Sequence, residues 1–143
     1  MKILIINGPN LNLLGERDPD LYGTASLADL NHELNARFGK THTLKMFQSN
    51  YEGAIVDCLH EHRNWADGIV INPGALTHYS YVLHDAIDAI PPPCVEVHLS
   101  DITAREEFRK NSVLQPVCVH QIKGKGFQSY FEAVHYLEQN SDD

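Results

Sequence analysis

Apolar positions along this chain follow two periods, and the switches between them mark its elements. Lys2 to Asn7 holds the run Ile3-Leu4-Ile5-Ile6, stopped by Gly8-Pro9, and predicts a buried strand. Ser26 can cap a helix in which Leu27, Leu30, Leu34 and Phe38 recur at helical spacing, with Gly39 as the stop. His42 to Phe47 predicts a second strand. Glu52 to about Trp65 predicts a second helix with Ile55 and Leu59 inward, and Asp67 to Asn72 a third strand. Ser80 to Ala89 predicts a third helix, ended by Ile90 and Pro91-Pro92-Pro93. Cys94 to Leu99 predicts a fourth strand, Thr103 to Phe108 a short helical segment, Pro116 to Gln121 a fifth strand and Phe127 to Glu138 a closing helix.

Strand and helix alternate throughout, and helical crossovers of this length demand parallel strands with both faces covered. The pattern predicts a single flavodoxin-like domain over residues 1–143: a doubly wound, five-stranded parallel sheet of order 2-1-3-4-5. One connection breaks the rhythm. Gly8 to Ala25 is a long loop without apolar periodicity, and long loops in compact domains are commonly binding loops or lids. The mobile lid is expected at about 16–24, and the polar tail at about 139–143 is expected to fray.

Ligands of such sheets sit beyond the carboxyl ends of the strands. Those ends carry Asn7 and Asn10, then Asn72 with Thr77-His78, then Glu96-Val97-His98-Leu99-Ser100. A central parallel strand is normally apolar throughout, yet here Glu96 and His98 share one face at period two. Burying both is costly unless they pair, and pairing would orient the imidazole for acid chemistry. An edge strand with one wet face gives the same alternation. On the loop, Gly15 and Gly23 flank Arg17 and Tyr22. A guanidinium close to a phenol favours phenolate, which would make Tyr22 a base; an exposed loop with one Arg and one Tyr can also be inert.

Composition narrows the function further. The 143 residues carry a formal net charge of −8, with 43% apolar and 21% charged positions. That excludes a disordered chain, and the acidic balance argues against nucleic acid or an anionic membrane as partner. No apolar run approaches the roughly 18 residues of a membrane span, and the run after Lys2 is too short for a signal peptide. Cys58, Cys94 and Cys118 are scattered and odd in number, which suggests reduced thiols in the cytoplasm. Gly124-Lys125-Gly126 lacks the third glycine of a dinucleotide loop and reads as a tight turn. His60-Glu61-His62 lacks zinc-helix spacing. A nucleotide- or flavin-binding module would want a Ser/Thr-rich phosphate loop after strand 1, where Gly8-Pro9-Asn10-Leu11-Asn12 stands instead.

Six motifs occur together in order: Ile6-Asn7-Gly8-Pro9-Asn10-Leu11-Asn12-Leu13-Leu14-Gly15; Arg17 to Tyr22-Gly23; Gln48-Ser49-Asn50 with Glu52-Gly53; Asn72-Pro73-Gly74-Ala75 with Thr77-His78; Val95-Glu96-Val97-His98-Leu99-Ser100; and Arg105-Glu106-Glu107-Phe108-Arg109. With them the chain resembles type II 3-dehydroquinate dehydratase along essentially its whole length. The resemblance implies dehydration of 3-dehydroquinate to 3-dehydroshikimate through an enolate, in aromatic amino-acid biosynthesis or quinate breakdown, without metal or cofactor, in a dodecamer built from trimers. It implies Tyr22 as base, Arg17 as the cation that favours phenolate, Asn10 as enolate stabiliser through a held water, and His98 as general acid with Glu96 as its partner. It also implies that Asn72 and the backbone amides of Leu99 and Ser100 bind the carboxylate. His78 and Arg109 would hold ring hydroxyls, and Asp85 would reach a neighbouring subunit's site. Ala54, Leu76 and His120 depart from the family pattern, none of them in a catalytic role.

Overall fold

The apolar run after Lys2 forms β1 (Lys2–Asn7), and its pleat divides the core in two. The computed structural model describes residues 1–16, 24–101 and 106–141. Along the chain follow α1 (Leu27–Phe38), β2 (Thr43–Gln48), α2 (Glu52–His62), β3 (Gly68–Asn72), α3 (Tyr81–Asp88), β4 (Cys94–His98), β5 (His120–Lys123) and α4 (Gln128–Gln139). Ile3 and Ile5 pack with Val70, Val95 and Val97 against α1 and α4. Leu4 and Ile6 pack with Ile69 and Ile71 against α2 and α3. The strands pair in parallel in the order β2-β1-β3-β4-β5, which is the doubly wound arrangement expected from the alternation.

Local chemistry explains the helix starts. Ser26 accepts from the Asp29 amide, and Asp29 accepts from the Ser26 amide, a reciprocal cap on α1. Ser80 caps α3 by accepting from the Leu83 amide. Burial of β4 on all five residues removes the edge-strand reading, because β3 and β5 flank it.

Four expectations need correction. The fifth strand begins at His120 instead of Pro116, because Pro116 has no N–H to donate and sits in a 3-10 turn, Gln115–Val117. Pairing starts only where the Val119 amide donates to the Cys94 carbonyl. The second helix stops at His62, short of Trp65, whose amide donates to His62 O in a closing turn. The loop after β1 is not wholly irregular: Leu11–Leu13 forms a 3-10 turn that buries Leu11 and Leu14 in the core. The helical segment expected over 103–108 is a 3-10 turn at Glu107–Lys110, and residues 102–105 lie outside the described set.

The loops after β1 and β3 approach each other at backbone distance. The Gly8 amide donates to the Asn72 carbonyl at 2.8 Å. A Cβ on Gly8 would lie 2.8 Å from the Pro73 carbonyl oxygen, which is backbone and cannot swing aside. Gly8→Ala is therefore expected to cost about 1–3 kcal/mol in denaturant unfolding, from forced separation of the two loops. An unchanged midpoint would show that the loops part freely.

Candidate active site

The carboxyl ends of β1 and β3 are joined by side chains as well as backbone. Asn7 and Asn72 are register partners and both are buried. Between them stands Tyr130 of α4, fully buried, whose hydroxyl donates to Asn7 Oδ1 at 2.5 Å and accepts from Asn72 Nδ2 at 2.9 Å. Asn72 Oδ1 in turn accepts from the Gly74 amide at 3.1 Å. Burial pushes the Tyr130 phenol well above its ordinary range, despite the Asn72 bond that lowers it, so this tyrosine stays protonated and is no base. Asn10 takes the left-handed conformation, with φ of 72°, which asparagine tolerates better than most residues. Its amide donates to Asn50 Oδ1 at 2.9 Å, and Gln48 Nε2 donates both to that oxygen and to the Gly8 carbonyl.

The end of β4 holds the densest polar group. Glu96 is 0% exposed and His98 5%. Nε2 of His98 lies 2.5 Å from Oε2 of Glu96. Two hydroxyls reach the same carboxylate: Thr77 from the turn after β3, at 2.5 Å, and Ser112, at 2.8 Å from Oε1 and 2.9 Å from Oε2. Burial alone would push the Glu96 carboxyl up. The bond and charge of His98 and the two hydroxyls outweigh it and hold the group below the usual glutamate range.

His78 and Arg109 arrive with these residues. Nδ1 of His78 lies 2.7 Å from the Asn111 carbonyl, which can only accept, so Nδ1 carries the hydrogen and Nε2 is left with a lone pair. Burial lowers the His78 pKa, and the positive charges of His98 and Arg109 act in the same direction against the Asn111 bond and Glu96. His78 packs edge-on to the Phe108 ring, and the Arg109 guanidinium lies 4.7 Å from the same ring's centroid. Beyond His98, the carbonyls of His98 and Leu99 accept from the amides of Gly124 and Gly126, and Ser129 Oγ donates to His98 O. The Gly-Lys-Gly segment is thus a tight turn, with φ of 80° and 58° at its glycines, that braces the backbone next to Leu99 and Ser100.

The structure therefore brings Glu96, His98, His78 and Arg109 into one cluster, next to the Asn7–Asn72 junction. Asp85 is apart from it: its side chain is 83% exposed on α3, beside His84. Arg17, Tyr22 and most of the lid at 16–24 lie outside the described residues. Sequence reasoning missed Ser112 and Tyr130 and gave Thr77 no role. Among the described residues, no group of three or more His, Cys, Asp or Glu side chains is set to hold a metal ion.

Comparison with known proteins gives a consistent answer. Residues 1–138 match the family described as Dehydroquinase class II. The chain is 55% identical over 136 residues to the 3-dehydroquinate dehydratase of Bacillus licheniformis, covering 94% of each chain. It is 50% identical over 135 residues to that of Bacillus subtilis, covering 94% of this chain and 91% of the relative. The crystal structure of type II dehydroquinase from Butyrivibrio crossotus superposes with a TM-score of 0.94 at 47% identity, covering 96% of this chain and 97% of that one.

The Glu96 environment sets an acid limit on stability. Its folded pKa lies below the ordinary 4.5, so folding favours the ionised form. The contribution is complete above 4.5 and is lost as pH falls through the lower folded value. Glu96→Gln should lower stability at neutral pH by about 3–5 kcal/mol, as expected when a buried pair is broken, and should flatten the acid limb. Urea unfolding from neutral to acid pH measures both. Parallel curves for the two proteins would assign the acid limb to other groups.

Proposed function

The chain belongs to the class II dehydroquinase family, and from that premise we infer how its residues divide the work of removing water from 3-dehydroquinate. The enzyme is a hydro-lyase of the shikimate pathway. The observation that carries the reading is the buried Glu96–His98 pair at the carboxyl end of β4, the strand end where a doubly wound sheet presents its ligand.

The reaction removes a proton from C2, next to the C3 ketone, and hydroxide from C1. We assign the first step to Tyr22 as phenolate, favoured by Arg17 on the same loop, with residues 16–24 acting as the lid. Asn10, through a held water, stabilises the enolate oxygen, assistance of a kind often worth roughly 3–4 kcal/mol per donor. The enolate then collapses: the C3 carbonyl re-forms, the C1–C2 double bond forms and the C1–O bond breaks. Its electron pair leaves with the oxygen, which takes a proton from the His98 imidazolium. Asn72 with the Leu99 and Ser100 amides takes the substrate carboxylate. The lone pair on His78 Nε2 and the guanidinium of Arg109 suit ring hydroxyls, His78 as acceptor and Arg109 as donor. No cofactor is needed for this sequence.

We also propose a homo-oligomer, a dodecamer built from trimers, in the cytoplasm. The exposed Asp85 supports it, being poorly placed for its own site, and so do the neighbouring Tyr79, Tyr81 and Val82, each more than half exposed. The cytoplasmic location rests on the unpaired Cys58, Cys94 and Cys118. Neither nucleic acid nor a membrane is proposed as a partner. The net charge is −8, and no helix among the described residues is long and apolar enough to cross a bilayer.

Mixing pure protein with 3-dehydroquinate should generate the ultraviolet absorbance of the conjugated enone product. Tyr22→Phe should retain binding and lose about 10²–10⁴-fold in kcat. Wild-type turnover in that variant would remove Tyr22 as the base. Sedimentation over a dilution series, with activity read on the same samples, should show activity falling as the assembly dissociates. A fully active monomer would refute the shared site and the role of Asp85.

A further inference from the structure

The carboxylate of Glu96 is surrounded by donors, and the hydrogen-bond count decides which way each hydroxyl points. Ser112 Oγ accepts from the amides of Leu114 and Gln115, at 3.2 and 3.1 Å, and so has both lone pairs in use. Its single O–H is left to donate, with Glu96 Oε1 at 2.8 Å and Thr77 Oγ1 also at 2.8 Å. The charged acceptor is the stronger of the two. Thr77 cannot donate to a saturated Ser112 oxygen, so its O–H also goes to Glu96.

One proton lies between Glu96 and His98 Nε2, and it has two possible homes. On the carboxyl, the pair is an uncharged acid beside a neutral imidazole. On Nε2, it is a carboxylate beside a ring that donates Nε2–H, and a further proton on Nδ1 makes that ring an imidazolium. The first arrangement would leave the hydroxyls of Thr77 and Ser112 bonding to a weaker, uncharged acceptor. The second gives each a charged one. The difference matters chemically, because an imidazolium is a competent acid at neutral pH and a neutral imidazole N–H is not.

We propose that Thr77 and Ser112 are positioning residues that keep this proton on His98, so that Nε2 faces Glu96 and Nδ1–H is the acid that protonates the departing hydroxyl. Among the described residues, His78 on the turn after β3 and Cys94 on β4 also sense the pair's charge, and Arg109, on the segment before Ser112, acts on His78. None of these is among the hydrogen-bond donors to the carboxylate. The two hydroxyls also bind the site into a unit. Val113 donates its amide to the Thr77 carbonyl at 2.7 Å, and His78 bonds the Asn111 carbonyl, so the segments carrying Thr77-His78 and Arg109 to Ser112 are latched side by side.

The inference rests on the dehydratase reading, and its test has a readout that does not. Thr77→Val keeps the buried shape and deletes one donor; Ser112→Ala deletes the other, and also strands two backbone amides. Infrared difference spectra against Glu96→Gln report directly whether Glu96 carries a proton. Wild-type protein should show carboxylate bands alone at neutral pH. Thr77→Val should gain a carboxylic-acid carbonyl band, lose about tenfold in kcat with KM within about twofold, and be rescued by Thr77→Ser. Ser112→Ala should show the same band whatever its melting temperature. A carboxylic-acid band in the wild type overturns the proposal, and so does Thr77→Val with carboxylate bands and wild-type kcat. If the wild type fails to turn over 3-dehydroquinate, the functional reading falls, while the spectra still decide whether Glu96 holds the proton.

Discussion

A carboxylate without solvent contact has to receive its hydrogen bonds from the protein, and at Glu96 this requirement organises the whole carboxyl end of β4. The donors come from three places: His98 on the same strand face, Thr77 on the turn after β3, and Ser112, 16 positions after Glu96 in the chain. Each brings a neighbour. Next to Thr77 is His78, and three residues before Ser112 is Arg109. Groups suited to a hydroxylated acid are thus delivered by the same bonds that make the buried charge tolerable. With an apolar residue in place of Glu96, the 107–114 segment would keep its Val113–Thr77 and His78–Asn111 bonds and the buried Leu114, but lose the Ser112 anchor to the strand face.

A second junction closes the site on the β1 side. Tyr130 of α4 sits between Asn7 and Asn72, taking a bond from one and giving one to the other. Because the Tyr130 ring is also core, packed with Phe131 and Val134 against β1, β3 and β4, helix packing and loop geometry are coupled. Gly8 and the left-handed Gly74 let the two loops meet at backbone distance, and the turn at Gly124 to Gly126 braces the strand end beyond His98. The described turns at these strand ends are short spans hung on rigid strands, an arrangement that holds side chains from separate elements in register.

Much of this was legible before any coordinates. The continuous apolar run in β1, the helical spacing after Ser26 and the proline stop after α3 are local signals, read within a few residues. They imply a parallel sheet, and the sheet implies where ligands sit, so Glu96 and His98 could be singled out as an anomaly of polarity in a strand that should be apolar. The errors fell where the local signal was ambiguous. Val117 and Val119 imitate a strand, but Pro116 holds the chain in a turn until the Val119 amide finds Cys94.

The sequence by itself determined the element order, the sheet topology, the two faces of the core and the motif set that joins this chain to its family. The tertiary structure alone decided who satisfies the buried polar groups. Ser112 and Tyr130 carry no local mark of their role: a serine after Asn111 and a tyrosine on an amphipathic helix are ordinary residues in ordinary places. Hydrophobic periodicity is a property of neighbours along the chain. A hydrogen bond from Tyr130 to Asn7 spans 123 positions, and its partners are chosen only when the helix has packed and water has been excluded between them.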